Sequence, residues 1–116
     1  MLAVAADIAV ILVAALHLWF LVLEMFLWDR PLGRRTFGMT PERAAATKSL
    51  AMNQGLYNGF LAAGLFWGIF AGDDVKIFFL ACVIVAGVFG AVTASRKILW
   101  VQALPGLVAL ALVVFG

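Results

Sequence analysis

The sequence predicts an all-α integral membrane protein, folded as an antiparallel up-down four-helix bundle with both termini outside the cytoplasm. The first observation behind this fold class is composition: 66% of the 116 residues are hydrophobic and 12% are charged, against roughly 45–50% and 25% in soluble domains. A soluble domain of this size exposes much of its surface, so it could not bury so many apolar side chains. The second observation is that the apolar residues form runs of about 20 residues, the length that an α-helix needs to cross a bilayer.

Charged or turn-forming residues bound four such runs, which together predict a single transmembrane domain over residues 1–116. The first run contains Asp7 and has no basic segment before it, so we interpret it as a retained span and not as a signal peptide. A cytoplasmic connection, residues 29–49, follows it. Within that connection Thr40 and Pro41 are typical of a helix start, so the second helix is expected to begin before the membrane. The predicted spans cover about 3–28, 50–71, 75–94 and 98–115.

The basic residues orient the chain, because Lys and Arg are retained on the cytoplasmic side of a membrane. Seven of the eight basic residues fall in the first and third connections. The exception is Lys76, which follows the tight turn at Asp73 and Asp74 between the second and third spans. This distribution predicts that both termini are outside. The seven basic residues on the cytoplasmic side are Arg30, Arg34, Arg35, Arg43, Lys48, Arg96 and Lys97.

Two ionisable residues of the first span are the candidates for catalysis, because a charged group near the bilayer centre costs at least about 2.5 kcal/mol. His17 precedes Trp28 by eleven residues, which places it about 16 Å from the cytoplasmic end of the span. Glu24 follows His17 by seven residues, almost two helical turns, so both share one face about 10 Å apart. Glu24 is the predicted acid or base, and His17 is the predicted deeper proton partner.

Polar side chains of the other spans fall at a comparable depth. In the second span Gln54 and Asn58 share a helix face, and Tyr57 lies one turn beyond Asn53. We therefore predict a polar pocket in the cytoplasmic half of the bundle, closed toward the outside by apolar side chains. The predicted ligand-binding residues are Asn53, Gln54, Tyr57, Asn58, Thr93 and Gln102.

Glycine and proline positions predict how the spans pack around this layer. Gly55 and Gly59 are four residues apart, a spacing that lets two helix backbones approach closely. Pro105 leaves the Val101 carbonyl without its usual helical donor, so the fourth span is expected to bend near Gln102.

Each candidate residue also has a purely structural interpretation. Glu24 can accept a hydrogen bond from Gln54 or extend toward the membrane interface. His17 can be a neutral imidazole that is bonded to an amide or a backbone carbonyl. Amide side chains in membranes join helices more often than they bind ligands. The functional interpretation therefore depends on the convergence of these residues at one depth.

Two stretches of the sequence resemble the small four-span bacterial membrane proteins grouped as domain of unknown function 1304. They are LEMFLW at residues 23–28 and NQGLYNGFLAAGL at residues 53–65. The Thr40–Pro41 turn and the QALPG segment at residues 102–106 are similar to that family too, so the resemblance covers nearly the whole chain. It implies a multi-pass protein of the bacterial cytoplasmic (inner) membrane. It implies no activity, because the function of the family is unknown.

Three functions remain open at this point. In the first, a small lipophilic or amphipathic molecule enters from the cytoplasm or the inner leaflet, and the polar pocket either only binds it or also transforms it by acid or base chemistry. The second is a small proton-coupled transporter; the fixed orientation of the chain and the position of Glu24 close to one face argue against it. The third is a non-catalytic accessory or lipid-organising protein. A glutathione-dependent membrane enzyme is a further hypothesis, for which only Glu42, Arg43 and Asn53 match.

The expected partners follow from the same features. They are the lipid bilayer, a small lipophilic ligand and further copies of the chain in a homo-oligomer. Nucleic-acid binding is not expected, because no basic and aromatic face projects far from the membrane. The sequence identifies no cofactor. Cys82 is the single cysteine, which excludes an intramolecular disulfide and a metal site built on several thiolates.

Overall fold

A computed structural model describes residues 2–116 and confirms the all-α class over that range. Five α-helices and one π-helical segment follow one another with short connections in this part of the chain. The elements are α1 (Leu2–Met25), α2 (Pro31–Phe37), α3 (Pro41–Ala71), α4 (Asp73–Thr93), the π-helical segment (Leu99–Ala103) and α5 (Leu104–Phe115).

Two of these helices, α1 and α4, are long and apolar enough to cross a membrane. They have 24 and 21 residues, respectively. The π-helical segment and α5 together form a shorter apolar helix over Leu99–Phe115. The longest helix is α3, whose 31 residues correspond to about 46 Å, and its first turns are polar.

The connection after α1 contains a short helix that the sequence analysis did not predict. α1 ends at Met25, three residues before the predicted end of the first span at Trp28. Pro31 then opens α2, at a position where its missing N–H costs no helical hydrogen bond. Gly38 ends α2 with a φ of 63°, and its N–H donates to the Arg34 carbonyl. The residues that interrupt the long apolar helix therefore form a separate helix.

The start of α3 agrees with the capping signal in the sequence. The side-chain oxygen of Thr40 accepts a hydrogen bond from the backbone N–H of Arg43 at 3.1 Å. This bond satisfies one of the N–H groups that lack a partner within the first helical turn. Pro41 occupies the first helical position, as the sequence predicts.

Contacts divide the chain into two compact units. The central unit is Leu16–Phe60, which contains the second part of α1, the connection with α2, and the first part of α3. The terminal unit consists of the residues up to Ala15 together with Leu61–Gly116. It contains the first part of α1, the end of α3, α4, the π-helical segment and α5.

The terminal unit is built around a core of small and branched apolar residues. Small residues permit close approach: a Cβ atom on Gly87 of α4 would lie 3.0 Å from the backbone nitrogen of Ala103. A Cβ atom on Gly106 of α5 would lie 3.0 Å from Cγ1 of Val83. The buried core residues of this unit are Ala6, Val10, Val13, Ala14, Leu65, Leu80, Val83, Ala109 and Val113.

A π turn lies at Gln102, the position near which the sequence predicts a bend of the fourth span. The backbone N–H of Leu104 donates to the carbonyl of Leu99, five residues earlier, instead of the usual four. This wider turn comes directly before Pro105, the residue that cannot supply a backbone donor. The side-chain amide of Gln102 donates to the Val83 carbonyl of α4 at 3.0 Å, so the turn is joined to the neighbouring helix.

Candidate functional site

In the central unit, α1 and α3 are joined by a hydrogen bond between two of the predicted site residues. The side-chain amide of Asn58 donates to the carboxylate of Glu24. Asn58 is buried and Glu24 is half-buried. The structural interpretation of Glu24 named Gln54 as its donor, but the donor is Asn58, one helical turn later.

Two glycines allow α3 to come close enough for this bond. A Cβ atom on Gly55 would lie 3.2 Å from Cβ of Glu24 and 3.3 Å from the carbonyl oxygen of Leu21. A Cβ atom on Gly59 would lie 2.8 Å from Cδ1 of Leu21. These distances are shorter than the usual contact of about 3.5–4.0 Å between carbon atoms. The glycine pair therefore forms the contact face of α3 in this unit and places Asn58 beside Glu24.

His17 is completely buried in the central unit. Its ring packs edge-on against Phe20, with 5.2 Å between the ring centroids. It precedes Glu24 by seven residues on the same helix, so the two groups are separated by almost two turns, as the sequence predicts.

Three predicted ligand-binding residues of α3 are exposed and make no hydrogen bond to Glu24. Asn53 and Gln54 lie on the outside of the helix, and within residues 2–116 neither side chain has a hydrogen-bond partner. Tyr57 is also exposed, and its ring lies 6.0 Å from that of Phe60. These groups are available to a molecule outside the chain.

The two remaining predicted residues belong to the terminal unit, where each is bonded locally. The hydroxyl of Thr93 donates to the Phe89 carbonyl of its own helix at 2.7 Å. Gln102 donates to the Val83 carbonyl, as described above. Both side chains therefore satisfy backbone acceptors within this unit.

The terminal unit also contains an ion cluster that the sequence analysis did not anticipate. The ammonium of Lys76 lies 2.7 Å from a carboxylate oxygen of Asp7 and 3.3 Å from one of Asp73. Only 10% of the Lys76 side chain is exposed, compared with 42% for Asp7 and 67% for Asp73. A shallow pocket beside the cluster is lined by these three residues and by apolar side chains of α1 and α5. The three-residue spacing of Asp73 and Lys76 indicates their contact, but nothing local points to Asp7.

In the central unit, side-chain contacts hold the connection between α1 and α3 against the first turns of α3. The indole N–H of Trp28 donates to the hydroxyl of Thr47 at 3.0 Å, and its ring lies 4.8 Å from that of Phe37. The ammonium of Lys48 donates to the carboxylate of Asp29 at 3.1 Å. This hydrogen bond is the main reason that the pKa of Asp29 is lowered from its ordinary value of 3.8.

Comparison with known proteins agrees with the resemblance carried by the LEMFLW and NQGLYNGFLAAGL segments. The model of the family described as "Protein of unknown function (DUF1304)" matches residues 11–114. The chain is 31% identical over 108 residues to the uncharacterized protein YpaA of Lactococcus lactis subsp. lactis (strain IL1403), with 89% of each chain covered. No solved structure gives a match. The predicted family is therefore confirmed, and no activity comes with it.

Proposed function

Because the chain belongs to the DUF1304 family of proteins of unknown function, we propose its function from its own residues. It is a four-span protein of the bacterial cytoplasmic membrane, and its central unit binds a small lipophilic or amphipathic molecule at Glu24. The spans are α1, the apolar part of α3, α4, and Leu99–Phe115.

The distribution of apolar side chains supports the membrane location. Large apolar residues are exposed along α1, α3, α4 and α5, among them Phe70 and Val92. Soluble monomers rarely expose large contiguous apolar patches, because water does not solvate them well. Lipid tails are apolar, so they can surround these residues without cost. Twenty residues counted back from Ala71, the end of α3, cover about 30 Å and include the segment from Asn53 to Asn58.

The hydrogen bond between Asn58 and Glu24 is the observation that carries the proposed site. A carboxylate among apolar side chains is costly unless donors surround it. Among the described residues, Asn58 is the one donor to this carboxylate. A ligand with an ammonium, amide or hydroxyl group would supply a further donor to Glu24. The apolar side chains nearby would accept its tail, so the expected ligand is amphipathic.

The exposed polar residues of α3 extend this site toward the cytoplasmic side. Asn53, Gln54 and Tyr57 precede Asn58 within two helical turns, and Gln54, four residues before Asn58, lies nearest to its helix face. A headgroup that extends from Glu24 toward the surface of α3 would therefore meet Gln54 first. The same carboxylate can act as an acid or a base on the bound headgroup. His17, seven residues earlier on α1, is the deeper proton partner in this proposal.

The close packing of the two glycines favours a second candidate, in which the Glu24–Asn58 bond only fixes the register of α1 and α3. Interhelical hydrogen bonds and small-residue faces are common devices of helix association in membranes. In that case the chain is an accessory or lipid-organising protein. The polar residues would then be needed for folding and not for a ligand.

Mass spectrometry of the protein purified in a mild detergent distinguishes these candidates. Glu24→Gln preserves the volume of the side chain and removes its charge, and Asn58→Ala removes the amide. Thr93→Val is the matched control, because the Thr93 hydroxyl is bonded within its own helix. We expect one discrete small molecule with the wild type and with Thr93→Val, and its loss from the other two variants.

Two results would overturn the proposed site. One is retention of the same molecule by Glu24→Gln. The other is a wild type without any bound molecule while Glu24→Gln and Asn58→Ala unfold at lower temperature, which would establish the structural role. Proton flux into proteoliposomes that depends on Glu24 would support a transporter instead.

A further inference from the structure

We propose that the connection between α1 and α3 is a binding surface for the headgroups of anionic phospholipids. The inference rests on the proposed membrane location and is independent of the site at Glu24. The surface, called here the arginine surface, consists of Arg30, Arg34 and Arg35 of the connection, Arg43 of the adjoining first turn of α3, and the apolar residues Leu32 and Phe37.

The charges of this surface are not neutralised within the chain. Asp29 is engaged with Lys48, and Glu24 accepts the amide of Asn58. Within residues 2–116, none of the four guanidinium groups makes a hydrogen bond or an ion pair. The one further acid near these arginines in the sequence is Glu42, in the first turn of α3. The surface therefore has a positive excess and guanidinium donors that no acceptor of the described residues uses, although the Nε of Arg34 is itself buried.

The arginines are presented by a folded segment and not by a loose loop. Phe37 at the end of α2 stacks against Trp28, which is itself bonded to Thr47 of α3. Gly33, in the middle of α2, packs so closely on the Leu27 carbonyl that a Cβ atom would collide with it. A surface formed before binding loses less conformational entropy when it binds a ligand.

Exposed apolar side chains on the short helix α2 favour the binding of a lipid over that of a soluble anion. Leu32 is 41% exposed and Phe37 is 42% exposed, and both flank Arg34 and Arg35. A free phosphate would occupy the guanidinium groups but leave these two side chains in water. A lipid headgroup region offers phosphate to the arginines and the upper acyl chains to the apolar residues. Guanidinium groups also match phosphate geometry through paired N–H donors.

Native mass spectrometry with a lipid mixture tests this proposal. The full chain in detergent is incubated with equal amounts of phosphatidylglycerol and phosphatidylcholine that have identical acyl chains, and the ratio of bound lipids is measured. Arg34→Gln with Arg35→Gln removes two charges from the surface. The matched control, Arg96→Gln with Lys97→Gln, removes two charges from the exposed connection before the π-helical segment.

We expect the wild type and the control to favour phosphatidylglycerol. The preference should fall by about fivefold for each arginine removed from the arginine surface, less where salt screens the charges. Replacement of Arg34 and Arg35 by lysine should retain part of the preference, because the charge remains and the paired donors are lost. Circular dichroism of each variant checks that the helices are intact.

Three results would overturn the inference. The first is a wild type that binds both lipids equally. The second is an equal loss in the Arg96→Gln, Lys97→Gln control, which would reduce the effect to net charge. The third is displacement of phosphatidylglycerol by inorganic phosphate, which would identify a soluble anion as the ligand. The Glu24→Gln variant should keep the lipid preference, so failure of the proposed ligand site is seen separately from failure of this surface.

Discussion

Removal of the two members of the Asp7–Lys76 ion pair should have unequal effects, because their burial is unequal. Lys76 is almost fully buried, whereas Asp7 and Asp73 reach the surface. Asp7→Asn therefore leaves a buried ammonium with a single carboxylate, at the longer distance of 3.3 Å. Lys76→Met instead removes the buried charge and keeps an apolar stem of similar length against Gly68, which the Lys76 side chain covers.

The magnitudes follow from this geometry. Breaking a fully buried pair costs about 3–5 kcal/mol, but here Asp73 and the new amide oxygen still accept from the ammonium, so we expect about 2 kcal/mol for Asp7→Asn. The two exposed acids recover hydration in Lys76→Met, which should cost less than about 1 kcal/mol. The double variant should cost about as much as Lys76→Met alone, about 2 kcal/mol less than the sum of the two single variants, because the lysine that Asp7 neutralises is gone.

The assay is unfolding of the purified protein in mild detergent by stepwise addition of sodium dodecyl sulfate, followed by circular dichroism. The free energy of unfolding is compared among the wild type, both single variants and the double variant. A Lys76→Met variant that loses more stability than Asp7→Asn would refute the reasoning. Strict additivity in the double variant would refute it as well, since it would mean that the pair makes no energetic contribution.

Three further predictions concern the central unit. Gly55→Ala should destabilise the protein by about 1 kcal/mol despite the higher helix propensity of alanine, because the new Cβ would lie 2.5 Å from Cγ of Met25. An unchanged free energy of unfolding in the sodium dodecyl sulfate titration would contradict this prediction. Gly38→Ala should lower the free energy of unfolding by about 1 kcal/mol, because φ is 63° at this position and alanine disfavours the left-handed region. Gly38→Asn should cost less, since asparagine tolerates this region better, and equal losses in the two variants would exclude the conformational explanation. The Lys48 hydrogen bond lowers the pKa of Asp29, so its contribution to stability is complete above the ordinary value of 3.8 and is lost as the pH falls through the lowered pKa of the folded state. The difference in melting temperature between the wild type and Asp29→Asn should therefore begin to shrink as the pH falls below 3.8 and should disappear below the lowered pKa of the folded state. A difference that stays constant throughout this acidification would count against the ion pair.

Features that depend on a few neighbouring residues could be predicted from the sequence. The capped start of α3 is encoded by Thr40 and Pro41, which act on the turn that contains them. The distortion near Gln102 follows from Pro105, which removes one specific backbone donor. The glycine spacing at Gly55 and Gly59 predicts a contact face, although not which helix it meets.

Contacts that depend on the rotation of a helix could not be predicted in the same way. The apolar residues of α1 are spread around the whole helix, and when the surroundings and the interior are both apolar the hydrophobic pattern does not show which face is buried. The partner of Asp7 therefore remained unknown until the structure placed Lys76 beside it. The same limit explains why Gln54 and Asn58, one turn apart, could not be ranked as donors to Glu24.

The π turn at Leu99–Ala103 has a consequence for the evolution of this family. A π turn is equivalent to one residue inserted into an α-helix, so it rotates the residues after it by about 100°. Without it, Val108 and Leu112 would occupy the buried positions that Ala109 and Val113 hold, next to the tight contact at Gly106. Relatives that lack this residue should therefore carry their small side chains one position earlier in the last helix. A length difference of a single residue at this point would then mark the gain or loss of the π turn, with the packing of the last helix kept, and not a neutral change in a loop.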